Sequence, residues 1–309
     1  MKTHALIFVL SFICVTEGGV LQANADAAYN AGKYREAVVL YKKAASDGEN
    51  KAICYFNCAN AYFQLDSLPQ SVVYYKACLG YAPDFFRGHL NLAIVYYTLE
   101  DIGECIASIS RALELKPDDD KALLIRAVCY RKAAAIPEAI TAFESLIAQF
   151  PDKEEAYIAL AEMYRDLDDN QTAIEWLLKY PESGKNEGYV NYMLSDIYEQ
   201  ENNFERALYY SKKTLEKEPD NRNLYYRICM LLEKTGNDLV ALEEAKRGVE
   251  QFSGFGDLAV FGGNIAMKYE KLDVAQRLYT IASSAGNPYG VVGLENVRKM
   301  RLGRIERDE

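Results

Sequence analysis

The side chains that most often carry acid–base chemistry or bind metals are scarce in this chain. Its 309 residues include only two histidines, His4 and His89, and histidine is the usual proton-transfer group and the commonest metal ligand. His4 lies in an apolar N-terminal segment, and His89 occupies a position that large packing residues fill elsewhere in the sequence. No Ser-His-Asp or Cys-His set can be built from them, and neither phosphate-binding motif, GxxxxGK(S/T) or GxGxxG, occurs. The sequence therefore predicts a protein that is not an enzyme and has no cofactor.

Cysteine and aspartate are the remaining groups that could bind a metal. Cys54 and Cys58 stand one helical turn apart, but no second pair or histidine completes a zinc site. The six cysteines beyond the N-terminal segment are expected to be small buried side chains, with disulfide bonds as the alternative. Residues 118–120 are all aspartate and follow Pro117. Carboxylates at a helix start complement the helix dipole, and a cation site is the alternative.

The net charge, the apolar content and the length of the chain narrow the class of protein further. The formal charge is −10, which argues against nucleic-acid binding, because that needs a basic surface to replace phosphate counterions. Half of the residues are apolar, too many for a disordered chain. At about 150 residues per domain, the length alone suggests two globular domains.

The N-terminus has the pattern of a targeting segment. Lys2 precedes an apolar run over residues 5–15, which is too short for a membrane span of about 20 residues and fits the apolar part of a secretory signal. We expect residues 1–18 to be a signal peptide, with a buried first helix as the alternative. Cleavage after Ala25 is also possible, but it would remove the start of the first repeat helix.

A 34-residue period runs through most of the chain. The frame begins at Gly18 and holds for eight units, to Tyr289. Each unit has two apolar stripes at helical spacing, and prolines stand where the second helix must stop. Gly262 and Gly263 are expected to loosen the first helix of the eighth unit. Three successive units show the recurrence: Tyr55, Ala59, Tyr62, Tyr75 and Pro83; His89, Ala93, Tyr96, Ile109 and Pro117; Leu123, Ala127, Tyr130, Phe143 and Pro151.

These positions resemble the tetratricopeptide-repeat (TPR) pattern, W-x2-L-G-x2-Y followed by A-x3-F, A and P. The resemblance covers residues 19–289 and implies an all-α fold, a right-handed α-solenoid of helix-turn-helix units with a long concave channel. One row of stacked units then replaces the two globules. Residues 290–309 should form a capping helix and a charged tail, because Val291, Leu294, Val297 and Met300 make an apolar stripe. The stretch from Ala23 to Ala93 also resembles envelope TPR proteins of bacterial aerotolerance operons.

The resemblance implies that the first helix of each unit lines the concave face. In the fifth and sixth units the stripe facing this groove contains Glu162, Asp196 and Glu199, and burying unpaired carboxylates is costly. The same positions in units two to four should then be exposed, and an exposed apolar patch marks a binding surface. Tighter packing of the N-terminal half is the alternative. We call these nine residues the groove stripe: Phe56, Asn60, Phe63, Leu90, Ile94, Tyr97, Leu124, Val128 and Arg131.

The sequence thus predicts a noncatalytic scaffold of the cell envelope, exported and periplasmic or secreted. The groove stripe would grip an apolar peptide or helix of a protein partner. We expect the protein to contact membranes only indirectly, through its partner proteins. The alternative is a self-assembling component, a homo-oligomer whose groove is filled by its own or a neighbour's C-terminal helix.

Overall fold

The structure is a computed structural model that describes residues 19–181 and 184–308, with side chains as far as Gly303. The signal peptide expected over residues 1–18 lies outside the described residues. Within them the chain forms no strand and seventeen α-helices: α1 (Val20–Asn30), α2 (Tyr34–Ser46), α3 (Lys51–Gln64), α4 (Leu68–Tyr81), α5 (Phe86–Thr98), α6 (Ile102–Leu115), α7 (Asp120–Lys132), α8 (Ile136–Gln149), α9 (Glu154–Asp166), α10 (Asn170–Leu178), α11 (Glu187–Gln200), α12 (Phe204–Lys217), α13 (Arg222–Lys234), α14 (Asp238–Gln251), α15 (Gly256–Lys268), α16 (Leu272–Ser284) and α17 (Pro288–Asp308).

The helices form two compact bodies, an N-terminal body up to Met163 and a C-terminal body from Tyr164. In the N-terminal body each helix from α1 to α8 packs against the next, and in the C-terminal body the same holds from α10 to α17. One helix pair cannot bury its apolar face alone, whereas neighbouring pairs cover each other. The all-α fold of tandem helix pairs is therefore confirmed.

The turn inside each repeat carries the 34-residue period in its backbone. One residue per turn has a φ between 55° and 74°, in the left-handed region. In the first turn, the amide of Lys33 donates to the carbonyl of Ala28 at 2.9 Å, which closes a Schellman motif. The other seven turns contain the equivalent hydrogen bond. The 34-residue period of the side chains is therefore also present in the backbone. The eight left-handed residues are Gly32, Asp66, Glu100, Ala134, Asp168, Asn202, Gly236 and Glu270.

Proline positions mark where the second helices end. Helices α4, α6, α8 and α12 each stop two residues before Pro83, Pro117, Pro151 and Pro219. The fifth repeat lacks this proline and has Pro181 early, and its second helix, α10, has only nine residues. The departure from the repeat pattern in the sequence thus corresponds to a shortened helix.

The glycine pair in the eighth repeat does not loosen its helix, contrary to the expectation. Gly262 and Gly263 are buried inside the continuous helix α15. A Cβ on Gly263 would lie 2.7 Å from the ring of Tyr279, and one on Gly293 of α17 would strike the same ring. The glycines therefore make room for a tyrosine that packs between two helices.

The capping helix α17 begins at Pro288, in agreement with the preference for proline at the first helical position. The side chain of Asn287 accepts a hydrogen bond from the amide of Tyr289 at 3.0 Å, and the helix continues through the charged residues to Asp308. Val297 is buried, and Leu294 and Met300 pack against the core as partly buried side chains. Val291, the fourth residue of the expected stripe, is exposed.

Candidate functional site

Most of the groove stripe is buried. It lies on the first helices α3, α5 and α7, as the repeat pattern requires, but Phe56, Asn60, Leu90, Ile94 and Val128 are each at most 4% exposed. The expectation of an exposed apolar patch is wrong for these five residues.

Aromatic neighbours explain the burial of the first of them. The ring of Phe56 packs edge-on against Phe85, with ring centroids 5.0 Å apart, and lies 5.7 Å from the ring of Tyr75. The alternative, that the N-terminal half packs more tightly, therefore fits the structure better.

Four residues of the stripe remain partly accessible: Phe63, Tyr97, Leu124 and Arg131. The guanidinium of Arg131 pairs with Glu162 at 3.1 Å, and both side chains are about one-third exposed. A carboxylate at this position stays near the surface because it reaches a cation there, whereas the apolar side chains of earlier repeats turn inward and pack.

Asn60 is held in a buried hydrogen-bond network. The hydroxyl of Tyr75 donates to Oδ1 of Asn60, and Nδ2 of Asn91 in the next repeat donates to the same oxygen at 3.0 Å. Nδ2 of Asn91 also donates to the Tyr75 hydroxyl at 3.2 Å. Asn60 thus links two repeats, and its carboxamide oxygen faces protein donors.

Asp26 makes the equivalent network one repeat earlier. Tyr41 donates to Oδ1 of Asp26 at 2.6 Å, and Nδ2 of Asn57 donates to the same oxygen at 3.3 Å. Burial raises the pKa of the Asp26 carboxyl above its usual range, although these hydrogen bonds act in the opposite direction. The first repeat therefore contains an acid that costs stability once it ionises.

Replacing Asp26 with asparagine should stabilise the protein at neutral pH. The folded-state pKa is raised, so the unfolded chain loses its proton first and stability falls as the pH rises from about 4 through the folded pKa. Asp26→Asn removes that loss and keeps the acceptor for Tyr41, as Asn60 does for Tyr75. Urea unfolding at several pH values should show a gain at pH 7 that shrinks towards pH 4. A difference that does not vary with pH would contradict this account.

The C-terminal body carries a chain of ion pairs along the equivalent stripe. Arg165 lies 3.6 Å from Asp196, and Arg227 lies 3.6 Å from Asp196 and 3.0 Å from Glu199. Lys234 extends the chain to Glu199 at 2.9 Å. Because each carboxylate has a cation beside it, these charges can be partly buried. This stretch of the stripe is mainly charged, with the ring of Tyr192 exposed beside Arg227.

A cavity lies further along the same stripe, in the seventh and eighth repeats. It has a volume of about 500 Å³, within the range of ligand sites. Tyr226 and Val260 are in 34-residue register with Phe56 and Leu90 of the groove stripe. We call this cavity the C-terminal cavity. It is lined by Asn223, Tyr226, Phe255, Asp257, Val260, Phe261, Asn264, Asn287 and Tyr289.

The walls of the C-terminal cavity are mainly aromatic, and its polar groups include three amides and the carboxylate of Asp257. The rings of Tyr226 and Phe261 meet edge to face with centroids 5.6 Å apart. Oδ1 of Asn264 accepts from the Tyr279 hydroxyl at 2.7 Å, and Nδ2 of Asn287 donates to Asp257 at 2.7 Å. These groups suit an apolar side chain flanked by peptide groups. The cavity lies beyond the sixth repeat, where the stripe predicted from the sequence ends, so that prediction does not include it.

The residues singled out for catalysis or metal binding have structural roles. His89 is partly buried, and its Nε2 lies 2.7 Å from the carbonyl oxygen of Pro83. Asp119 caps α7 by accepting from the amide of Ala122 at 3.1 Å, and Asp120 pairs with Lys153. Within the described part of the chain, no three His, Cys, Asp or Glu residues are grouped to hold a metal. No helix in that part is long and apolar enough to cross a bilayer.

Two cysteines depart from the expectation that all are unpaired. Cys105 on α6 and Cys129 on α7 form a disulfide, with Cα atoms 6.8 Å apart. Their burial was expected and their bond was only the alternative. Cys54, Cys58 and Cys229 are free and buried, and burial raises the pKa of Cys54 to about 11 and of Cys58 and Cys229 to about 12. Such thiols are poor nucleophiles at neutral pH.

Sequence profiles of known families match the chain in two places. Both are described as tetratricopeptide repeat, one over residues 86–119 and one over residues 133–187. A search of curated proteins found no match.

Solved structures resemble the fold at low sequence identity. A tetratricopeptide repeat protein from Parabacteroides merdae is 16% identical with a TM-score of 0.51, over 80% of this chain and 99% of that one. YrrB, described as a TPR protein with an unusual peptide-binding site, is 17% identical with a TM-score of 0.50, over 60% of this chain and 96% of that one. A double mutant of MamA from strain RS-1 is 17% identical with a TM-score of 0.50, over 52% and 90%. The chain therefore matches the tetratricopeptide repeat over residues 86–119 and 133–187, and its repeating turns and paired helices share the fold of these solved structures.

Proposed function

We propose that this protein is a noncatalytic scaffold that binds a segment of a partner protein, and that the C-terminal cavity is its main contact. The observation that carries the proposal is an aromatic cavity of about 500 Å³ on the helix face that the repeat pattern assigns to the groove. Tyr226 and Phe261 offer apolar walls. Buried aromatic anchors supply much of the binding energy in protein interfaces. The peptide-binding site of YrrB, a structural neighbour, supports the same kind of partner.

The test introduces the same substitution inside and outside the cavity. Val260 lines the cavity, and Val240 on α14 of the same body is 47% exposed away from it. A photo-crosslinker at the exposed Asn264 should capture a partner segment from cells that make the protein. Val260→Glu should reduce this capture about tenfold or more, because a charge would replace an apolar wall. Val240→Glu should leave the capture unchanged.

A third variant separates the C-terminal cavity from the groove stripe. Phe63 is the accessible phenylalanine of that stripe, whereas Ile94 is too buried for a charge to be tolerated. Loss of capture in Phe63→Glu with retention in Val260→Glu would transfer the function to the N-terminal body. Equal capture by all three variants would refute both sites. Circular dichroism confirms that each variant is folded before capture is compared.

We propose further that the protein works outside the cytoplasm, in the cell envelope. The apolar run over residues 5–15 supports export. The Cys105–Cys129 disulfide supports it independently, because such bonds persist mainly in oxidising compartments. N-terminal sequencing of the protein purified from its own cells tests this: a start at residue 19 or 26 supports export, and a chain that retains residues 1–18 and is found in the cytosol refutes it.

Self-assembly is the second candidate function. Tyr289, Val291 and Val292 on α17 are 67%, 60% and 55% exposed. Leu258, which is in 34-residue register with Val292, is fully buried, so the exposure of Val292 departs from its repeat position. A neighbouring chain could cover this face. Light scattering should then show a dimer that Val292→Ser converts to a monomer, whereas a wild-type monomer at 100 μM would refute the idea.

A further inference from the structure

A second cavity lies in the fourth repeat, between α7 and α8. It has a volume of about 370 Å³, and its polar lining consists of Arg126, Tyr130, Glu138, Thr141 and Ser145. On α7, Arg126 lies about 200° around the helix from Leu124 of the groove stripe, at roughly 100° per residue. This cavity therefore opens on a different face from the proposed partner groove.

Arg126 departs from the rule that the other repeats follow at its position. The residues in 34-residue register with it in repeats two, three, five, six and seven are apolar and at most 5% exposed: Cys58, Leu92, Leu160, Leu194 and Ile228. A leucine here would fill the space with packed carbon. The arginine instead places a permanent positive charge beside a cavity.

The guanidinium of Arg126 is not satisfied within the described residues. Its Nε is buried and has no hydrogen-bond partner, and no carboxylate among those residues lies within 4.0 Å of it. A buried donor without an acceptor destabilises the folded protein. Glu138 lines the same cavity but does not pair with it. An acceptor from outside the chain would remove this cost.

The other donors of the cavity favour an anion. The hydroxyl of Thr141 donates to the carbonyl of Pro137 at 2.9 Å, and Tyr130 and Ser145 line the same cavity with side chains that carry hydroxyls. We propose that this cavity binds a carboxylate, held by Arg126 and these two hydroxyls. The planar fork of arginine fits the two oxygens of a carboxylate. The group could come from a glutamate of a bound protein or from a free small carboxylate.

Titration of the full chain by NMR tests the proposal. The Nε–Hε signal of Arg126, assigned by its absence in Arg126→Leu, should shift saturably with N-acetylglutamate amide, a mimic of a glutamate residue. Sodium chloride at equal ionic strength should not shift it. A parallel titration with acetate distinguishes the sources, because an equal response means that any carboxylate enters, and a response to the glutamate mimic alone indicates a protein side chain.

Two variants complete the test. Arg126→Leu restores the residue of neighbouring repeats and should fold with an equal or higher melting temperature, but should lose the melting-temperature rise that the glutamate mimic gives the wild type. Glu138→Gln removes the like charge and should tighten binding about twofold to fivefold. The absence of a saturable shift in the wild type, or a melting-temperature rise that persists in Arg126→Leu, would overturn the proposal. Neither result bears on the partner capture expected of Val260→Glu, so the proposal for the C-terminal cavity is tested separately.

Discussion

Loss of the cross-link between Cys105 and Cys129 is expected to lower the free energy of unfolding of the N-terminal body by about 3.5 kcal/mol. The two cysteines are separated by 24 positions, and the chain-entropy relation gives this value for a loop of that length. The bond joins the second helix of the third repeat to the first helix of the fourth. In an array held by nearest-neighbour contacts, a break at one interface uncouples the repeats on either side.

The repeat itself supplies substitutions that remove the bond and keep the packing. Alanine occupies the register position of Cys105 in six of the other repeats, for example Ala139, and Val95 occupies that of Cys129. The double variant Cys105→Ala, Cys129→Val should melt roughly 10 °C lower than the oxidised wild type. It should also be insensitive to dithiothreitol, which should lower the wild-type melting temperature to a similar value.

Cys229 provides the matched control for this experiment. It is buried and unpaired, and alanine fills its register position in repeats one to five. Cys229→Ala should change the melting temperature little, with or without reductant. Equal melting of the wild type under oxidising and reducing conditions would show that the Cys105–Cys129 bond does not form in solution.

The fold could be predicted because its determinants are local and repeat. Proline at the end of a second helix and small residues at helix crossings act within one repeat. The left-handed turn shows how strict the register is, since Asp66, Glu100 and Ala134 adopt a conformation usually left to glycine. Tertiary packing of the repeat imposes that turn. The 34-residue period can therefore be recognised in the sequence although the turn residues themselves vary.

The candidate sites depended on information that periodicity does not carry. The register correctly placed Phe56 on the groove side, but its burial comes from Phe85, which follows α4 and packs over it. Predicting the Cys105–Cys129 bond requires the distance between α6 and α7, which the repeat period does not give. Predicting the C-terminal cavity requires the spacing between α13, α15 and the start of α17. A signal was nevertheless present, since Tyr226 and Val260 continue the stripe in the same register.

Adding a single methyl group at Gly290 should detach the capping helix. A Cβ there would strike the backbone nitrogen of Ser283 and lie 2.8 Å from the carbonyl oxygen of Tyr279. Backbone atoms cannot rotate away as side chains do, so Gly290→Ala should cost about 3 kcal/mol, at the upper end of the range for overpacking. Hydrogen exchange should show lost protection of the α17 amides, while the N-terminal body keeps its own.

Gly303, in the same helix, provides the opposite control. A Cβ at Gly303 meets no atom of the described residues within 4 Å, so Gly303→Ala should stabilise α17 by up to about 1 kcal/mol through helix propensity. Because Asn287 and Tyr289 line the C-terminal cavity, Gly290→Ala should also lose partner capture at Asn264, and Gly303→Ala should keep it. Capture that survives while α17 is unprotected would mean that the cavity binds its partner without the capping helix. The capping helix is therefore expected both to close the repeat array and to complete its binding site.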